Sequence, residues 1–224
     1  MVYILTVFIA IACSAAVVIY KDRRYSRVRD FDVKRIIKDN TTFEIMTFTA
    51  LIAVSLFSNF LYARTGGDYV QMYKGLLLIF GVYLIAFIDY KERIIPNKII
   101  LVLLIIRTGF LIYEAIIAFD ILRTVLAYPM LGGLIGGAVI FVAMFVSRKG
   151  VGMGDVKLFA VIGFFVGSAA ILPTMIYSVL ASAVFGIFLL LTRKAKLKDS
   201  IPMAPFALIG IVFNMITSNL GGSI

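Results

Sequence analysis

The 224-residue chain contains no histidine and a single cysteine, Cys13. Metal sites built from imidazole or thiolate are therefore excluded, a cysteine-rich zinc module among them. Serine or cysteine hydrolase chemistry would lack its usual imidazole base, and one cysteine cannot make an internal disulfide framework. Charge is scarce as well: 15% of the residues are charged, against about 25% in soluble domains. Nor does the sequence show the roughly ten-residue segments of alternating polarity that build a transmembrane barrel. What it has is apolar bulk, with 62% hydrophobic residues and a mean hydropathy of +1.06.

The apolar residues come in runs near the roughly 20 residues a helix needs to cross a bilayer. They predict an all-α, polytopic transmembrane bundle of about eight spans at that membrane length: 2–20, 43–62, 73–88, 99–119, 124–147, 156–170, 171–192 and 203–219. The sixth and seventh adjoin, with a turn expected over Ala169 to Pro173. The first lacks a basic leading segment, so it reads as a retained helix and not as a signal peptide. Residues 1–42 form that helix and a short basic connector, too small to fold alone, and residues 43–224 form the membrane-embedded domain.

The net charge of +10 does not signal nucleic acid, because the basic residues sort by side of the membrane and do not line one soluble face. Of the 22 Lys and Arg, 18 lie at 21–38, 91–98, 148–157 and 193–198. The alternate loops hold only Arg64, Lys74 and Arg123, with Arg107 inside a span. The positive-inside rule then puts the loops after the odd-numbered spans in the cytoplasm and both termini outside.

Carboxylates at membrane depth are costly, so the four acidic residues at span ends or within apolar runs stand out: Glu44, Asp89, Glu114 and Asp155. Asp89 ends an apolar run and is followed by Lys91, Arg93 and Pro96-Asn97. Pro96 stops the helix, and Asn97 is expected to cap the one resuming at Lys98. Asp155 lies in Gly150-Val-Gly152-Met-Gly154-Asp155-Val-Lys157, whose glycines let another backbone come close. A nucleotide-binding loop does not fit, since no strand precedes it and no GK[ST] follows. Both aspartates are expected on the cytoplasmic face at helix termini. Two carboxyls close together cannot both ionise readily, so one holds a proton and acts as acid while the other activates water. Hydrolysis of a peptide bond by such a pair needs no metal and no cofactor.

These segments resemble those of the type IV prepilin peptidases, the GxGD-class membrane aspartyl proteases that include the archaeal preflagellin peptidases. The matching stretches are Asp89-Tyr-Lys-Glu-Arg-Ile-Ile-Pro96-Asn97, Gly152-Met-Gly154-Asp155-Val-Lys157-Leu158 and Ile201-Pro202-Met-Ala-Pro205-Phe206. The resemblance implies that Asp89 and Asp155 are catalytic, with Gly152, Gly154, Lys157, Pro96, Asn97, Pro202 and Pro205 supporting the site or the substrate. It implies a multi-pass protein of the cell membrane, in contact with lipid, that cuts short basic leaders from prepilins or pseudopilins on the cytoplasmic side, after a glycine that precedes the substrate's hydrophobic helix. Lys157 is expected to orient Asp155 or bind substrate backbone. Many relatives carry a cysteine-rich domain between the first two spans, associated with zinc and amino-terminal methylation. Residues 21–42 are too short for it, so cleavage without methylation is expected. The competing readings are an ion- or proton-coupled transporter and an inactive scaffold of the same fold; both aspartates on one face speak against the first.

Overall fold

A computed structural model describes residues 69–147, 152–192 and 202–220. The chain divides into two compact units, Met1–Met72 and Tyr73–Ile224. The expected spans 2–20 and 43–62, the connector 21–42 and Glu44 lie outside the described residues, as does the 42/43 boundary.

The described residues are helical throughout, with no strand among them: α1 (Tyr69–Glu92), α2 (Asn97–Ile117), a 3-10 turn (Phe119–Ile121), α3 (Leu122–Ser147), α4 (Met153–Val166), α5 (Ser168–Leu191) and α6 (Ala204–Leu220). The protein is an all-α membrane bundle, and these six helices match the last six predicted spans. Four segments are long and apolar enough to cross a membrane: Val70–Tyr90, Asn97–Ile117, Phe119–Val146 and Ser168–Leu191. In α1, 67% of the apolar stretch is buried, against 17–22% in the other three. The outer helices α2, α3 and α5 thus turn Leu101, Ile105, Leu134, Val142, Val184 and Ile187 outward, as lipid-facing surfaces do.

α4 is the exception in length. Its 14 residues span about 21 Å, short of the roughly 30 Å hydrocarbon core. It is enclosed, with Leu158, Phe159 and Ile162 fully buried. It packs extensively on α3. Glycines make that closeness feasible: a Cβ on Gly163 would lie 2.1 Å from the Gly132 carbonyl oxygen, and one on Gly136 would lie 2.4 Å from that of Phe159. Between helices in lipid, where apolar burial drives nothing, such backbone approach maximises dispersion contact.

The turn between the sixth and seventh spans is not at 169–173. It is at Gly167, in the left-handed region at φ 83°, against which the Tyr128 ring packs. Pro173 lies inside α5. Proline removes only one helical hydrogen bond so near a helix start, whereas a left-handed glycine redirects the chain. Lys74, expected in a loop, is buried in α1.

Candidate active site

α1 ends where Arg93 takes a left-handed φ of 53° and its N–H bonds the Asp89 carbonyl at 2.8 Å. That terminus comes two residues before the position that Pro96 restricts. Ile94 to Pro96 follow as a short connection, and α2 starts at once. Asn97 does not cap α2. The N-cap is Pro96, in extended conformation and with no side-chain bond, and Asn97 is the first helical residue.

Asp89, in the last turn of α1, is buried at 5% exposure. A buried carboxylate needs donors, and its donors come from the start of α6. The Ala204 N–H bonds Asp89 Oδ2 at 3.0 Å, the Met203 N–H contributes a second hydrogen bond, and the field of Arg93 reaches the group. The first N–H groups of a helix have no intrahelical partner. In α6, Pro205 has no N–H to offer and Phe206 turns its own to the Met203 carbonyl at 3.1 Å. The free donor of that turn is therefore Ala204, and Asp89 accepts it at the positive end of the helix dipole.

Asp155 occupies the third position of α4. Its Oδ2 reaches back to the Gly152 N–H at 2.9 Å, while its own N–H bonds the Gly152 carbonyl at 3.0 Å. The carboxyl is half-buried. Burial pushes it above the usual carboxylate range; the Gly152 hydrogen bond opposes the shift, and the negative charge of Asp89 adds to it. The charge of Asp89 thus reaches Asp155.

The flanking motifs are joined directly. Gly154 faces Ile95 so closely that a Cβ there would lie 3.0 Å from the Ile95 Cβ. Lys157 Nζ donates to Asn97 Oδ1 at 3.0 Å, so this lysine bonds the start of α2 and not Asp155. Gly152 is less constrained, the nearest atom to an added Cβ being Asp155 Oδ2 at 3.7 Å. Pro202 and Pro205 flank the turn that supplies Met203 and Ala204. The structure thus brings together the sequence-predicted site residues of all three segments. Sequence reasoning missed Ala204, whose contribution is a main-chain donor, and Ile95, an apolar residue with no chemical signature. Among the described residues, no three acidic, histidine or cysteine side chains cluster as a metal site would require.

The arrangement sets a half-buried acid with a raised affinity for its proton within electrostatic reach of a second carboxylate held by main-chain donors.

Residues 76–191 match the Type IV leader peptidase family. A prepilin leader peptidase/N-methyltransferase of Bacillus subtilis is 29% identical over 163 residues, which cover 68% of this chain and 60% of the relative. Proteins of the same name from Aeromonas salmonicida and Pseudomonas aeruginosa are 29% identical over 132 residues and 32% identical over 133, each alignment covering 58% of this chain and 44% of the relative. The chain therefore spans about half the length of the relatives it matches. No solved structure matches it.

Proposed function

The chain belongs to the type IV leader peptidase family, and from that premise we propose that it is a membrane aspartyl endopeptidase in which Asp89 and Asp155 activate water to remove the leader peptide from type IV prepilin-like proteins. The observation that carries the reading is the coupling of the two carboxyls: Asp155 lies in the field of Asp89, and each is fixed by main-chain N–H groups. One member of the pair keeps its proton for the leaving amine or the carbonyl oxygen, and the other takes a proton from water as the water attacks. The relatives' names, prepilin leader peptidase/N-methyltransferase, support the substrate class. The substrate is a prepilin or pseudopilin whose short basic leader precedes a hydrophobic helix that lies beside the bundle in lipid.

The basic loops support placing the site on the cytoplasmic side of the cell membrane. With one cysteine in 224 residues, these residues hold no cysteine-rich module of the kind associated with methylation, and the new amino terminus is left unmethylated by them.

The test is cleavage of a prepilin-like substrate by the purified protein in detergent, compared with Asp89→Asn and Asp155→Asn. Asparagine still accepts the Ala204 or Gly152 N–H, so both variants keep the fold. Each is expected to lose at least about a hundredfold in rate, the lower end of what a positioned acid or base contributes. The mass of the product reports whether its amino terminus is methylated. Either variant cleaving at the wild-type rate would remove the pair from the mechanism.

A further inference from the structure

Away from the aspartates, three ionised side chains are enclosed in the same bundle. Arg107, in the middle of α2, is only 2% exposed. Its Nη1 donates to Glu114 Oε2 at 3.0 Å, and Lys74 of α1 donates to the other oxygen, Oε1. Its Nε donates to the Phe164 carbonyl oxygen of α4 at 2.9 Å, and the guanidinium lies over the Phe164 ring, 5.5 Å from its centroid. Charges this deep persist in a membrane protein only when partnered.

The Phe164 carbonyl is one of the last four of α4, which have no intrahelical donor. Gly163 gives its carbonyl to the Gly167 N–H at 2.8 Å, and Phe164 gives its own to Arg107. A cation there also meets the negative end of the helix dipole. α4 is therefore bonded to α2 at both ends, through Lys157 and Asn97 near its start and through Arg107 and the Phe164 carbonyl at its finish.

Every helix in this network carries part of the aspartate site at its other end. At 1.5 Å per residue, Asp89 lies about 22 Å along α1 from Lys74, Asn97 about 15 Å along α2 from Arg107, and Asp155 about 13 Å along α4 from Phe164. Helices of this length act as rods, so fixing one end sets the other. The main contact of α4, with α3, runs glycine against backbone at Gly132, Gly136 and Gly163. A directional bond to the end of α4 adds an axial restraint to that contact.

We propose that Arg107, anchored by Glu114 and Lys74, is a positioning residue that holds α4 in the axial register at which Asp155 faces Asp89. The inference rests on the reading of those aspartates as the reacting pair, and it assigns Arg107 no contact with substrate.

The experiment measures kcat and KM for Arg107→Gln, Arg107→Lys, Glu114→Gln and a control at the exposed Arg123, Arg123→Gln. It is paired with spin-label distances between Ile94→Cys and Met153→Cys in a Cys13→Ser background. Arg107→Gln is expected to lower kcat by about ten- to a hundredfold, the scale of an ångström's misplacement, with KM little changed and the 94–153 distance distribution broadened. Arg107→Lys keeps the charge but not the fork, and recovers part of kcat; Arg123→Gln behaves as wild type. If Arg107→Gln does not fold, Glu114→Gln, which removes the anchor and leaves Arg107 in place, is expected to show the same split to a smaller degree. A folded Arg107→Gln protein with wild-type kcat and an unchanged distance distribution overturns the proposal. If the wild type does not cleave, or if Asp89→Asn and Asp155→Asn cleave normally, the proteolytic reading fails instead. The label distances then decide alone whether Arg107 sets the register of α4.

Discussion

Gly154→Ala separates the geometry of the site from the stability of the fold. A Cβ at this position meets the Ile95 Cβ at 3.0 Å, its Cδ1 at 3.3 Å and its Cγ1 at 3.4 Å. Carbon atoms at rest sit about 3.5–4.0 Å apart, so Ile95 must retreat by roughly half an ångström. Gly154 is not in the left-handed region, so alanine fits its backbone, and in the first turn of α4 it gains up to about 1 kcal/mol of helix propensity. That gain offsets part of the crowding, which costs about 1–3 kcal/mol, and leaves a net loss of up to about 2 kcal/mol. The melting temperature is then expected to fall by no more than about 8 °C, at 2–4 °C per kcal/mol for a chain of this size. Cleavage has no such compensation. Ile95 leads directly into Pro96 and Asn97, so displacing it moves the start of α2 away from α4. With an ångström worth about a hundredfold, half of one is expected to cost about tenfold in kcat. The assay is cleavage of a prepilin-like substrate in detergent alongside thermal melting. Ile95→Ala in the same chain removes two of the three contacts and should recover part of the rate, while Gly152→Ala, with its nearest neighbour at 3.7 Å, should lose much less than Gly154→Ala. Full activity in Gly154→Ala, or a larger loss in Gly152→Ala, would refute the close packing of the two segments as a determinant of the site.

Two further outcomes follow from the same geometry. Because burial raises the affinity of Asp155 for its proton, the folded state binds that proton more tightly than the unfolded chain. The resulting stability is present below the ordinary carboxylate value of about 4 and is lost as pH rises through the raised folded value. Asp155→Asn, which cannot ionise, should therefore melt above wild type at pH 7 and level with it near pH 3; equal melting at both pH values would contradict the shift. The Lys157–Asn97 bond is solvent-exposed, so Lys157→Met and Asn97→Ala should each cost about 1 kcal/mol or less. In a double-mutant cycle the two losses should not add, and full additivity would show that the bond contributes nothing.

The helices were legible because lipid imposes a length: six apolar runs became six helices. Their ends were less legible where two signals competed. Pro173 resembles a breaker more than Gly167 does, yet the chain turns at the glycine because only a left-handed φ redirects it there. Lys74 looked like a loop residue because a lysine at the edge of an apolar run is costly in lipid. Its compensation, Glu114, lies 40 residues on in another helix, and no local window contains both.

The aspartates were legible because ionisable residues beside apolar runs are few, and because their flanking glycines and prolines follow a known order. How they are held was not. Asp89 is fixed across 115 residues by the N–H of Ala204, a donor that every residue except proline possesses and that therefore leaves no trace in side-chain identity. The one trace is indirect: Pro205 withdraws the next N–H in the turn, and with Phe206 bonded to Met203 the donor left free at that helix start is directed at the carboxylate. The proline therefore acts through what it lacks, narrowing the donors at the start of α6 to those that Asp89 accepts.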